Sequence, residues 1–177
     1  PGMRRVGETV GGGNIGHTFE ADGTDEESLT RAHLWGRKSM QEYERYYKEY
    51  LKGFEEMELV ATGPLLGVRE TRRITGDYVL NVEDFRSLAV FEDEIGRYSY
   101  PIDIHIAKPD KESYDAFAKE FSTMRLGKGE SYGIPYRVLT PKGLKNTLVA
   151  GRCVSTDRSM PASIPVMPGC YITGPAA

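Results

Sequence analysis

The sequence predicts an α+β fold, with a mixed sheet and flanking helices. Three observations point there. Residues 24–53 carry apolar side chains at three- and four-residue spacing, the period of a helix. Several short stretches alternate apolar and polar residues instead, as strands do. The two kinds are interspersed without the strict strand–helix–strand order that builds a parallel sheet. At 177 residues the chain is long enough to bury a core.

The elements follow in chain order. Residues 1–23 are glycine-rich, and Gly11-Gly12-Gly13 lacks the preceding apolar strand and following helix of a dinucleotide fingerprint. A loop leading into a short edge strand is expected there. Thr24 and Glu27 have capping-box spacing, and Asp25, Glu26 and Glu27 suit the positive end of a helix dipole. The helix they open carries Leu29, Ala32, Trp35, Met40, Tyr43, Tyr47 and Leu51 and stops at Gly53. Its tyrosines read as core packing with phenol groups at the rim. Met57, Leu59 and Ala61 alternate as a strand ending at Thr62-Gly63-Pro64. A short strand over 78–80 precedes a short helix over 82–88 capped by Asn81. Residues 98–106 read as a strand, and a helix opens at Pro109-Asp110 and ends at Gly127-Lys128-Gly129. The last third runs through Ile134-Pro135-Tyr136-Arg137-Val138-Leu139, turns at Pro141-Lys142-Gly143 and enters a buried strand over 147–151.

Composition narrows the function. Lys+Arg total 23 against 26 Asp+Glu, a net charge of −3. Nothing basic advertises a nucleic-acid partner, and no acidic block suggests a solvating tail. The two cysteines, Cys153 and Cys170, cannot build a disulfide scaffold. No apolar run approaches the ~20 residues of a membrane span, and no signal-peptide pattern opens the chain. A cytoplasmic globular protein is expected, with no nucleic-acid or membrane partner and with room for an oligomer. Pro1 at the start and Gly174-Pro175-Ala176-Ala177 at the end look cut, so further chain is expected beyond them.

Few residues offer chemistry. Arg69, Glu70, Arg72 and Arg73 are the densest charged cluster. On an extended segment Arg69 and Thr71 share one face while Glu70 and Arg72 share the other. One face can then hold a Glu–Arg pair and leave an arginine for a carboxylate or phosphate; equally, the cluster can be an ion-pair network locking the chain. Of the three histidines, His33 reads as a rim residue of the long helix. His17 and His105 show no metal-ligand spacing and suit a proton-handling role near a redox centre. Cys153 reads as buried and inert, because no sign of an activating imidazole accompanies it.

The segment Ile134-Pro135-Tyr136-Arg137, with Pro141-Lys142-Gly143-Leu144-Lys145-Asn146-Thr147-Leu148-Val149-Ala150-Gly151-Arg152-Cys153-Val154-Ser155, resembles the closing part of FAD-dependent oxidoreductases. The likeness is to the two-dinucleotide-binding-domain, fumarate reductase-like flavoproteins. Ser163 to Cys170 and Gly174 to Ala177 resemble the lead into their last helix, whose N-terminus faces the cofactor. Asp22-Gly23-Thr24-Asp25, Gly67 to Ile74 and Tyr100-Pro101-Ile102-Asp103-Ile104-His105 support the match. The chain departs from the pattern at Pro165, where the family carries arginine, and at Pro175, where it carries Gln or Glu. Residues 108–130 read as a longer insertion, and the N-terminal Rossmann half is not in this stretch.

The resemblance implies a substrate-binding portion over 1–130 and a C-terminal segment of the FAD-binding domain over 131–177, a fragment of a flavoenzyme. It implies FAD in the parent protein, absent or weakly held by this stretch alone, which by itself would be inactive. The parent would move a hydride between a small polar substrate and flavin. Arg69 and Arg72 would orient the substrate, His17 or His105 would handle a proton, and Gly151, Arg152, Ser155 and Gly174 would line the cofactor. The alternative is a non-enzymatic α+β binding or assembly module using the tyrosine stripe and the arginine cluster.

Overall fold

The computed structural model describes residues 3–103, 110–164 and 166–177. The chain divides into two compact units, Pro1–Gly67 and Val68–Ala177. The division expected at 130/131 falls inside the second unit.

In the first unit, β1 (Met3–Arg5) pairs antiparallel with β2 (Gly11–Gly13). The glycine run is thus itself a short strand. The helix α1 (Glu26–Tyr50) follows. Its N-cap is Asp25, whose carboxylate accepts the Ser28 N–H at 2.8 Å. Thr24 is not the cap, because its own N–H and hydroxyl both go to Asp22. Past Leu51 the chain turns at Gly53, which has φ +91°. Tyr47 is buried as the spacing predicts, but Trp35, Tyr46 and Tyr50 are exposed. The expected strand over 57–61 is not a strand. The segment is extended, and no backbone hydrogen bond holds 58–61 among the described residues. Alternation supplied the conformation without a neighbouring edge to complete a ladder.

The second unit holds the core. Helix α2 (Val82–Arg86) opens with a full capping box: the Asn81 side chain accepts from Glu83 and Asp84 N–H groups, and Asp84 accepts the Asn81 N–H. Strand β3 (Glu94–Tyr98) pairs antiparallel with β4 (Tyr132–Pro135), with a bulge between Glu94 and Gly96. Gly133 lies beneath the Glu94 side chain, where any Cβ would overlap the carboxylate. Helix α3 (Lys111–Thr123) lies between these strands in sequence, and α4 (Met167–Ala176) closes the chain. The result is an α+β arrangement of helices and small antiparallel sheets. Among the described residues no helix is long and apolar enough to cross a membrane.

Three other strand expectations are corrected. Residues 78–80 contribute only a single bridge, Leu80 to Thr156. The strand expected over 98–106 lies earlier, ending at Tyr98; 104–106 fall outside the described residues. Residues 147–151 form no strand and are not buried, with Thr147 and Leu148 exposed and Val149 tied back by one bond to the Leu139 carbonyl. An apolar run becomes a strand only beside a partner, and none lies alongside it among the described residues.

Leu80, Phe85, Tyr98, Ile102, Met124, Tyr132, Ile134, Val138, Leu139, Val154, Met160 and Ile164 form one buried cluster. The Tyr132 hydroxyl inside it has a partner. Ser163 Oγ donates to the Tyr100 carbonyl at 2.7 Å, which makes the Tyr132 hydroxyl, 2.8 Å away, the donor to Ser163. Burial pushes the Tyr132 hydroxyl well above the usual phenol range.

Candidate functional site

The arginine segment and the glycine–arginine segment, some eighty residues apart in sequence, lie side by side in the second unit. The Ile74 N–H donates to the Cys153 carbonyl at 3.0 Å. Arg152 Nη1 donates to the Val68 carbonyl at 2.6 Å. The Gly76 N–H donates to Ser155 Oγ at 2.9 Å. That last bond needs a glycine, since a Cβ on residue 76 would stand 2.8 Å from Ser155 Cβ and 3.0 Å from the Arg137 carbonyl oxygen. Residues 68–76 and 151–156 therefore form one seam, although neither is a regular strand.

The seam decides what each arginine does. Arg69 turns inward: Nη1 donates to the Asp103 carbonyl at 3.3 Å and to Asp103 Oδ2 at 3.5 Å, and Nη2 donates to the Ala162 carbonyl at 3.3 Å. It clasps three stretches of chain together. Arg73 pairs with Glu70 at 3.3 Å, three residues back. The Glu–Arg pair expected of this cluster is made with Arg73, and 68–74 is not a strand. Arg72 is exposed and has no hydrogen bond or ion pair among the described residues.

The cofactor candidates separate in the same way. Gly151 opens a 3-10 turn, Gly151–Cys153, in a left-handed conformation at φ +85°. Its N–H donates to Thr173 Oγ1 on α4 at 3.0 Å. Arg152 is exposed apart from its bond to Val68. Ser155 is fully buried, and its hydroxyl is the Gly76 acceptor, so it builds the seam rather than facing outward. Helix α4 is already running at Met167, so Gly174 stands near its C-terminal end and not at its entrance. A Cβ added at either Gly151 or Gly174 would meet nothing within 4 Å.

His17 is exposed in the first unit, with its ring 6.5 Å from that of Phe19. His105 lies outside the described residues. His33 accepts from Arg37 Nε at 3.1 Å on the surface of α1. Cys153 is half-buried rather than buried, with Sγ 3.6 Å from the Ala150 carbonyl oxygen. Thr173 escaped the sequence reading altogether; its only local signal is a hydroxyl residue four positions after Gly169 and next to Gly174.

Residues 4–177 match the family described as FAD dependent oxidoreductase. The chain belongs to this family. No curated protein and no solved structure matches it. The residues present fit a flavin in part. Gly151 and Gly174 offer bare backbone with open space where side chains would stand, which permits close approach of a flat ring system. Arg152 supplies an exposed cation beside them. Ser155 does not fit as a direct contact, because its side chain is enclosed.

Proposed function

We propose that this chain supplies substrate-facing and flavin-facing surface to an FAD-dependent oxidoreductase of the two-dinucleotide-binding, fumarate reductase-like kind. In this reading 1–130 belongs to the substrate-binding portion and 131–177 to the FAD-binding domain. The observation that carries it is the seam, which sets the arginine segment directly against Gly151–Cys153. Bound flavin supplies the hydride acceptor or donor. The protein's part is to bind, orient and balance charge. Gly151, Gly174 and Arg152 would hold the cofactor. Arg72, an exposed guanidinium without a partner among the described residues, would orient an anionic or polyhydroxy substrate. Arg69 would act behind it, keeping the segment in place through Asp103 and Ala162. His17 or His105 would give or take the proton that accompanies hydride transfer.

The test begins with the complete parent protein, purified without added cofactor and then titrated with FAD. Flavin absorbance in the purified protein, or saturable quenching of FAD fluorescence, supports the reading. A colourless protein that quenches no FAD overturns it. The two arginines should then part company. Arg69→Ala removes bonds from a charged donor to two carbonyls and should cost about 2 kcal/mol of stability. Arg72→Ala should leave the unfolding midpoint unchanged and depress turnover.

A second reading, a partner-binding module, has one observation in its favour. Trp35, Tyr46 and Tyr50 stand exposed on α1, and the rings of Tyr46 and Tyr50 lie 5.2 Å apart.

A further inference from the structure

We infer that Thr173 is a positioning residue whose hydroxyl holds Gly151 and Gly174 together as one bare-backbone surface. Thr173 is 1% exposed, inside α4. Its Oγ1 accepts the Gly151 N–H at 3.0 Å and donates back along the helix to the Gly169 carbonyl at 3.1 Å, with the Cys170 carbonyl at 3.4 Å. One hydroxyl therefore uses its donor on α4 and an acceptor lone pair on the 3-10 turn. Both ends are constrained. Gly151 sits at φ +85°, a conformation that only glycine adopts without strain. Gly169 passes so close to the Ile164 carbonyl that any Cβ would overlap it, which fixes the first turn of α4.

The consequence is geometric. Gly174 adjoins Thr173 in sequence, and Gly151 adjoins it through the hydrogen bond, so the two open glycines are one side chain apart. The Gly151 N–H is consumed by this bond. What the surface offers a ligand is unobstructed backbone, not that donor. Without the hydroxyl the Gly151 N–H would have no acceptor on α4, and the turn would lose its tie to the helix.

The inference rests on the flavin reading for what meets the surface, and the experiment separates the two. The complete parent protein and its Thr173→Val and Thr173→Ser variants are titrated with FAD, and amide exchange at Gly151 is followed in the same samples. Thr173→Val, close in shape but without the hydroxyl, should weaken FAD binding about tenfold and speed Gly151 exchange about tenfold. Thr173→Ser should keep both within about twofold of the parent. Thr173→Ala serves the same comparison if the valine variant does not fold. Unchanged exchange at Gly151 in the valine variant, or failure of serine to restore it, overturns the assignment. Faster exchange with unaltered FAD affinity overturns it as well, since the surface then does not meet the cofactor. If the complete unsubstituted protein takes up no FAD, the flavin reading fails, and exchange at Gly151 alone decides whether Thr173 positions the turn.

Discussion

The two units of this chain solve the problem of burial differently. Every residue of the contiguous buried cluster lies in the second unit. The first unit buries Ala32, Tyr47 and Ser28 on one helix and leaves Leu34, Trp35, Tyr46, Tyr50, Val60 and Leu65 exposed. Its order is local, made of a capped helix and a three-residue hairpin. The second unit has one short helix, one medium helix, a two-stranded sheet and a closing helix, yet it encloses a core, because distant segments meet there. Regular secondary structure and packing are separate achievements, and only packing builds the seam on which the candidate site stands.

Four substitutions or titrations sharpen that contrast. The largest effect is expected at Phe85, which is 1% exposed with its ring 5.5 Å from that of Tyr132. Phe85→Ala should lower the unfolding free energy by about 4 kcal/mol, read from urea denaturation. A loss below about 1 kcal/mol would mean the second unit is not held by this core. In the first unit the corresponding lever is a cap. Asp25→Ala removes the acceptor for the Ser28 N–H and should cost about 1 kcal/mol, seen as lost helical ellipticity on heating. A larger loss there than at Phe85 would break the comparison.

The third effect is pH-dependent and belongs to the second unit. The Arg137 guanidinium, bonded to both carboxylate oxygens of Asp93 at 3.0 and 3.2 Å, holds that carboxyl below its ordinary value of 3.8. A depressed folded-state pKa contributes stability that is present above the unfolded value and lost as pH falls through the folded one. Asp93→Asn should therefore flatten the loss of stability below about pH 4 relative to the parent chain. An equally steep acid limb in the variant would remove this pair from the account. The smallest effect, of opposite sign, is expected at Tyr47. Among the described residues its hydroxyl is buried without a partner, in a residue 2% exposed. Tyr47→Phe should be neutral or stabilise by up to about 1 kcal/mol, since an unsatisfied buried hydroxyl costs free energy. A clear destabilisation would show that the phenol is satisfied after all.

The sequence was legible where short-range chemistry decides the outcome. The long helix, its acidic first turn and the Asn81 cap all appear where the pattern puts them, because a cap and its amides lie within three residues of each other. It misled where an element needs a distant partner. Residues 57–61 and 147–151 alternate or run apolar as strands do, yet neither finds an edge among the described residues. The candidate site divides along the same line. Arg69, Arg72, Gly151, Arg152, Ser155 and Gly174 were picked by residue type and resemblance, while their roles differ by contact. Ser155 faces Gly76 inside the seam, Arg69 faces Asp103 and Ala162, and Arg72 faces solvent. Residue type and spacing could not separate these, since each is a matter of which chain segment passes nearby.

By itself, then, the sequence determined the α+β character, the long helix, the Asn81 cap and, through its resemblance, the FAD-dependent oxidoreductase family that the match over 4–177 bears out. Tertiary structure alone decided that 68–76 lies against 151–156, that one arginine is spent as a clasp while its neighbour is left exposed, and that Thr173 ties Gly151 to α4. The physical reason is range. Helix periodicity and caps act within four residues of chain, whereas a buried hydroxyl finds its partner across 22 residues and a guanidinium across 93.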